Sequence, residues 1–250
     1  MTARRDIRIG VGGWTFEPWR GAFYPEKLPQ KRELSFASGK LTSIEINGTY
    51  YGSQKPASFA KWHDETPDDF VFALKGTRFT TNRRVLAEAG PSIERFFASG
   101  VMELRNKLGP INWQFMPTKK FDPDDFAAFL KLLPKTVEGR PIRHAVEVRH
   151  ESFRTPAFTD LARDHGVAVV IAGDSEYPQF GDPTAPFVYA RIMGTTESEP
   201  NGYSDAKLDT WADQARQWSA ERDVFLYVIS GFKQRNPAAS MALIQRLTSR

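Results

Sequence analysis

The sequence contains no cysteine, so disulfides, thiolate nucleophiles and every zinc or iron–sulfur site built on Cys ligands are excluded. It contains only four histidines, His63, His144, His150 and His165, and none stands at a metal-ligand spacing. Long hydrophobic runs are also missing: the strongest, Val167 to Ala172, falls far short of the ~20 residues needed to cross a bilayer. Neither sign of charge dominates, with 34 basic against 30 acidic residues and a net charge of +4, which leaves room for anionic partners without demanding them. At the N-terminus, Met1-Thr2-Ala3-Arg4-Arg5-Asp6 leads straight into an apolar segment too short and too glycine-rich for a signal h-region. The expectation from these absences is a cytoplasmic protein with no membrane partner. No Walker loop, nucleophile-elbow serine or His-Glu-x-x-His helix occurs. Gly10-Val11-Gly12-Gly13-Trp14-Thr15 begins like a dinucleotide fingerprint but lacks its final glycine, and reads as a strand-to-helix loop.

What is present is a repeated alternation of short β-branched or apolar runs with longer amphipathic stretches, the pattern of consecutive βα units. Eight such runs occur: Ile7–Gly13, Thr42–Gly48, Phe70–Gly76, Ile111–Met116, Ala145–Arg149, Val167–Gly173, Phe187–Gly194 and Val224–Ser230. The sixth is apolar at nearly every position, as a strand covered on both faces must be. Between them, helix starts are marked at Pro56, at Asp122-Pro123 and at Ser204-Asp205, each a capping residue or a first-turn proline. Phe126, Phe129, Leu130 and Leu133 then recur at helical spacing and give one apolar face. The third loop, Thr77 to Leu108, is long, and the sixth, Asp174 to Ala185, shows little helix. The expected fold is α/β: a single (β/α)8 TIM-like barrel domain spanning residues 1–250, since eight units use the whole chain.

In such a barrel, polar side chains pointing inward near the strand C-termini are candidates for function. Strand alternation puts Glu45 and Asn47 on one face, and Glu147 and Arg149 on another, with Lys75, Gln114 and Arg191 late on their own strands. Two carboxylates in one cavity can divide labour as acid and base, so Glu45 and Glu147 are the catalytic candidates. Lys75, Arg149 and Arg191 would clamp an anionic group, while Asn47, Gln114, Trp14 and Tyr50 would orient and stack the substrate. A second cradle is read in Ser230 to Pro237, where Asn236 as N-cap and Pro237 at the first turn open a helix. Gly231, Lys233 and Arg235 there are candidate phosphate-binding residues. The bland alternative is a set of buried ion pairs that merely cross-link the barrel. No cofactor and no metal site is expected, magnesium being the one ion that Glu45 or Glu147 would suit.

Gly13-Trp14 with Trp19 to Pro25, Glu45-Ile46-Asn47-Gly48-Thr49-Tyr50-Tyr51, Lys75, Leu108-Gly109-Pro110 with Gln114, and Val146-Glu147-Val148-Arg149-His150 together resemble the YecE-like proteins, the family of domain of unknown function 72. The resemblance runs from about Ile7 to the last helix. It implies a TIM-like barrel, akin in fold to the endonuclease IV and xylose isomerase group, with these residues near its site; it implies no reaction. The sequence departs from the family pattern at Asn82, where a Thr-His pair usually ends, at Met193, where His usually precedes Gly, and at Ser230, within Ile229-Ser230-Gly231 where Phe-Asn-Asn is typical.

The expected function is that of an enzyme, a hydrolase or lyase, acting on an anionic or phosphate-bearing small molecule at the C-terminal face of the barrel. Two alternatives stand beside it. One is a nucleic-acid-binding module using the basic third loop, where Thr81-Asn82-Arg83-Arg84 follows Lys75 and Arg78, together with nearby aromatics and Lys233 or Arg235 on the barrel rim. The other is a non-catalytic barrel that binds a small molecule.

Overall fold

The computed structural model describes residues 6–181 and 183–248. The N-terminal reading of Met1 to Arg5 lies outside the described residues, as do Asp182, Ser249 and Arg250.

Each apolar run forms a strand. They are β1 (Ile7–Gly12), β2 (Ser43–Ile46), β3 (Val71–Lys75), β4 (Leu108–Gln114), β5 (His144–Glu147), β6 in two stretches (Ala168–Val169 and Ile171–Gly173), β7 (Phe187–Ile192) and β8 (Asp223–Val228). All pair in parallel, and β1 lies between β2 and β8, with Gly10 opposite both Ser43 and Tyr227. The ring closes on β6: its first stretch pairs with β5 through Ala145–Ala168, and its second with β7 through Arg191–Ala172. Val170, between the stretches, donates its N–H to Val146 O at 2.9 Å. An all-apolar strand can change neighbours this way because both of its faces are covered.

Helices α1 (Glu33–Ser38), α2 (Gly48–Tyr51), α3 (Pro56–Asp64), α4 (Arg78–Thr81), α5 (Gly90–Ala98), α6 (Pro123–Leu132), α7 (Pro156–Asp164), α8 (Asp205–Ser219) and α9 (Asn236–Thr248) occupy the connections. Asp122 and Ser204 cap α6 and α8 with their side chains, as the sequence leads one to expect. Asn236 does not cap α9. Its backbone is already helical (φ −56°, ψ −42°), and its side chain accepts from Thr195 Oγ1 at 2.7 Å and donates to Ser230 O at 3.2 Å, tying the loops after β7 and β8 together. Among the described residues of the sixth connection no helix forms, so the eightfold alternation is complete in its strands and short by one helix. Among the described residues no helix is long and apolar enough to cross a membrane.

The alternation of side chains sorts the interior. Val11, Ile44, Ile46, Phe72, Leu74, Ile111, Trp113 and Phe115 belong to the layer between sheet and helices. The intervening positions, Ala73, Ala145, Ala168, Phe187, Tyr189, Phe225 and Tyr227, fill the lumen. Small residues on one side leave room for the large rings of β7 and β8, and the Tyr189 and Tyr227 rings lie 5.2 Å apart. Barrel layers are usually branched aliphatics; here aromatic rings take that place. Tyr227 OH also meets Ser43 Oγ at 2.8 Å, so the lumen floor is hydrogen-bonded as well as packed.

Candidate active site

Two residues beyond Ser43, Ala73, Asn112, Ala145 and Tyr189 on their strands, the alternation places Glu45, Lys75, Gln114, Glu147 and Arg191 on the inward face near the strand C-termini, where the reach of their side chains gathers them into one charged layer. Arg191 is its centre. Nη2 donates to Glu45 Oε1 at 3.0 Å, and Nη1 donates to Glu147 Oε2 and to Gln114 Oε1 at 3.2 Å. Arg149, two residues beyond Glu147, folds back so that Nε and Nη2 reach Glu147 Oε1 at 2.9 and 2.7 Å, while Nη2 also reaches Gln114 at 3.0 Å. Asn112 Nδ2 donates to Glu147 Oε2 at 3.2 Å, and Tyr189 OH to Glu45 Oε2 at 2.6 Å. Glu45 and Glu147 are fully buried.

Burial by itself pushes the Glu147 carboxyl up. The Arg191 and Arg149 guanidiniums outweigh it and hold the group at about 2. Arg191 is displaced the opposite way: its burial favours the neutral form, and Glu147 and Glu45 more than restore the cation. Tyr189 is pushed well above its ordinary value by burial and by Glu45, so its hydroxyl keeps its proton and donates it as a hydrogen bond.

Lys75 differs from the other cations. It is 7% exposed, and among the described residues its ammonium has neither a hydrogen bond nor an ion pair; Nζ sits over the Tyr50 ring, 4.2 Å from the centroid. Burial, the largest influence, and Arg191 lower its pKa to about 8, against the opposing pull of Glu45 and Glu147. The layer therefore holds two carboxylates and three cations, and Lys75 is the cation that no carboxylate neutralises directly. Thr49 on α2 accounts for its placement: its Oγ1 donates to Lys75 O at 2.6 Å and to Ile46 O at 3.1 Å, joining the ends of β2 and β3 beneath Tyr50.

Beside this layer, on the same end of the barrel, lies a cavity of about 480 Å³ walled by Trp14, Asn47, Tyr51, Gln54, Trp62 and Lys233. Gly13 makes it possible. With φ +72° it turns the chain sharply after β1, its N–H donates to Glu45 O at 2.8 Å, and Trp14 is thrown against Trp62 with ring centroids 5.2 Å apart. No acidic residue lines this cavity. Lys233 reaches it from the loop after β8, its Nζ 4.2 Å from the Phe16 ring centroid and its carbonyl held by Trp19 Nε1 at 2.9 Å. Desolvation against its surroundings lowers the Lys233 pKa.

The residues singled out from sequence therefore divide among three places. Glu45, Lys75, Gln114, Glu147, Arg149 and Arg191 form the charged layer, with Tyr50 over Lys75. Trp14, Asn47 and Lys233 line the cavity. Gly231 and Arg235 do neither: Gly231, with φ +55°, seats the loop so closely on Thr195 that a Cβ would lie 2.7 Å from its backbone N and O, and Arg235 is not among the residues lining the cavity. Asn112 and Tyr189 were within reach of the same alternation that selects Gln114 and Arg191, two residues earlier on each strand. Trp62 on α3 and Tyr177, whose ring lies under Arg149 with Cζ 4.3 Å from its centroid, carry no sequence signal of this kind. Of the histidines, His144 is enclosed: it accepts from Trp113 Nε1 at 3.1 Å and donates to Pro134 O at 2.8 Å. Among the described residues no group of three or more His, Asp or Glu is placed to hold a metal ion.

The fold and this layer define a TIM-like α/β barrel with a charged C-terminal mouth. The chain belongs to the family described as "Protein of unknown function DUF72", whose pattern matches residues 8–250. Among its relatives, UPF0759 protein YunF of Bacillus subtilis (strain 168) is 26% identical over 189 residues, a match covering 73% of this chain and 64% of that protein. A DUF72 family protein from Thermotoga maritima MSB8 superposes with a TM-score of 0.77 at 23% identity, covering 98% of this chain and 100% of that one. A second, from Enterococcus faecalis V583, gives 0.72 at 17% identity, covering 98% and 96%. At these identities the two structures establish the shared fold.

Proposed function

We propose that this protein is an enzyme, a lyase or hydrolase, that acts on an anionic small molecule, phosphate-bearing or otherwise, bound at the C-terminal mouth of the barrel. The observation that carries this reading is the cavity bounded by Trp14, Asn47 and Lys233: aromatic walls, amide groups, a cation and no carboxylate, directly beside the charged layer. Lys233 would hold the anion, Trp14 and Trp62 would pack the body of the substrate, and Asn47 would orient it. Arg149 and Gln114, at the edge of the layer, would meet the reacting end. In this reading Glu45 and Glu147 remain the acid–base pair only if substrate displaces an arginine, because Glu147 as it stands is a fixed anion; their immediate effect is to keep Arg191 and Arg149 in place. The working setting we propose is the cytoplasm, with the small molecule as the partner and no membrane involved.

The test is a binding screen of phosphorylated and carboxylated metabolites by intrinsic tryptophan fluorescence, followed by turnover assays on those that bind. Saturable anion binding lost in Lys233→Met supports the reading. Binding of neutral analogues as tightly as anions, or indifference to Lys233, removes it.

A second reading is favoured by one observation. Tyr51 and Phe79 are 65% and 59% exposed, and Arg78 lies 5.5 Å from the Phe79 ring centroid, an arrangement on which single-stranded bases can stack. Retention of single-stranded oligonucleotides that weakens steeply with salt and is lost in Phe79→Ala would support a nucleic-acid-binding role.

A further inference from the structure

We propose that Lys75 is a covalent catalytic amine: it condenses with the carbonyl carbon of an anionic aldehyde or ketone, which narrows the substrate class of the site above. The inference rests on the proposed function for the seat of the substrate, and on separate observations for the amine. Lys75 ends β3, where a barrel presents its reacting groups, and its side chain is buried. Arg149 and Arg191 are each locked to carboxylates at 2.7–3.0 Å, whereas Lys75 has no such partner among the described residues. A lysine kept for structure in this layer would be expected to take one of the two glutamates, since an unpaired buried ammonium is unfavourable. A lysine kept for nucleophilic chemistry needs the reverse: desolvation and neighbouring cations that release its proton near neutral pH. Both are present, burial first and Arg191 second.

The cavity also adjoins the element that covers the amine. Tyr50 lies over Nζ, and its neighbours on α2, Gly48 and Tyr51, are walls of the cavity. This four-residue helix thus stands between the substrate seat and the amine, and the proposal requires the Tyr50 ring to turn aside for the carbonyl to reach Nζ. In the reaction the C–N bond forms as the carbonyl π bond breaks. The ammonium and the carbonyl together yield a protonated imine and one water, which carries away the carbonyl oxygen. No oxidant or reductant is consumed. The positive imine nitrogen then replaces the ammonium charge, so the balance of two carboxylates and three cations is unchanged. An imine so placed draws electrons from the adjacent carbon, which favours the lyase over the hydrolase within the proposed function.

The experiment is reductive trapping. The protein is incubated with glycolaldehyde phosphate and sodium cyanoborohydride between pH 6 and 9, and the modified lysine is located by peptide mass mapping. Glycerol 3-phosphate, an anion without a carbonyl, serves as competitor. The expected result is one adduct, on Lys75, formed at least about tenfold faster than on any other lysine, and rising with pH through half its limiting rate near pH 8, because a lowered pKa enlarges the neutral fraction. Lys75→Arg keeps the charge but cannot form the imine; it should lose the adduct while still binding glycerol 3-phosphate, and a melting curve establishes that it is folded. Modification spread evenly over exposed lysines, or confined to Lys233, overturns the proposal while anion binding leaves the proposed function intact. A selective Lys75 adduct that glycerol 3-phosphate does not suppress upholds the amine and overturns the cavity as its substrate seat.

Discussion

Arg191 and Glu45, 146 residues apart in the chain, meet inside the barrel with Nη2 and Oε1 at 3.0 Å, and the same guanidinium binds Glu147 through Nη1. One cation thus bridges two buried carboxylates supplied by opposite halves of the sequence. Its removal would leave both without their central partner. Arg191→Met is expected to destabilise the fold by about 3–5 kcal/mol, the range for breaking one side of a buried ion pair. Urea unfolding at pH 7 measures it, and a loss under about 1 kcal/mol would show that the layer relaxes to admit water.

Lys75 should show the reverse. Its folded pKa, about 8, lies below its ordinary 10.5, so the unfolded chain binds more protons between these values and stability rises with pH across that window. Below it the protonated amine is a standing strain on the fold. Lys75→Met is therefore expected to stabilise the protein at pH 7 by about 1–3 kcal/mol, raising Tm, while abolishing any imine chemistry. A destabilised Lys75→Met would mean that the contact with Tyr50 outweighs the desolvation.

His144 supplies an acid-side test. Burial depresses its pKa from 6.5 to about 4, against a smaller opposing effect of its bond to Pro134. The indole N–H of Trp113 and the carbonyl of Pro134 define its neutral form, with the proton on Nε2. The unfolded chain therefore takes up the proton first, and stability should fall by about 3 kcal/mol as pH drops from 6.5 to 4. Glu147, depressed from 4.5 to about 2, adds a second loss at lower pH. Urea midpoints at half-unit pH steps would trace both, and His144→Gln should flatten the first while leaving the second.

Lys233 belongs to the cavity and not to the core, so its replacement should separate binding from stability. Lys233→Met is expected to weaken anion binding about tenfold or more, with the unfolding midpoint unchanged within about 0.5 kcal/mol. Trp14 and Trp62, in contact across the cavity wall, provide the fluorescence signal.

Much of this architecture was legible before folding. Apolar runs such as Phe187 to Ile192 mark strands because both faces of a closed parallel sheet are covered, and strict alternation along each strand picks out Glu45, Gln114, Glu147 and Arg191 as inward-facing. What alternation does not carry is pairing. Nothing in the order of residues says that Arg191 takes both glutamates and leaves Lys75 with an aromatic ring, because that depends on reach across the lumen and on the Tyr189 and Tyr227 rings that fill it. Asn236 is a similar case: its position before Pro237 suggests a cap, yet the loop carrying Thr195 offers its side chain a better-buried partner.

The sequence by itself determined the parallel barrel and the inward face on which its charges lie, since both follow from local periodicity and from the handedness of βα units. The tertiary structure alone decided which charges neutralise one another, and that Trp14, Trp62 and Lys233 share a cavity. These are relations between side chains on different strands and loops, set by the closure of the ring at β6 and by the packing of rings in its lumen.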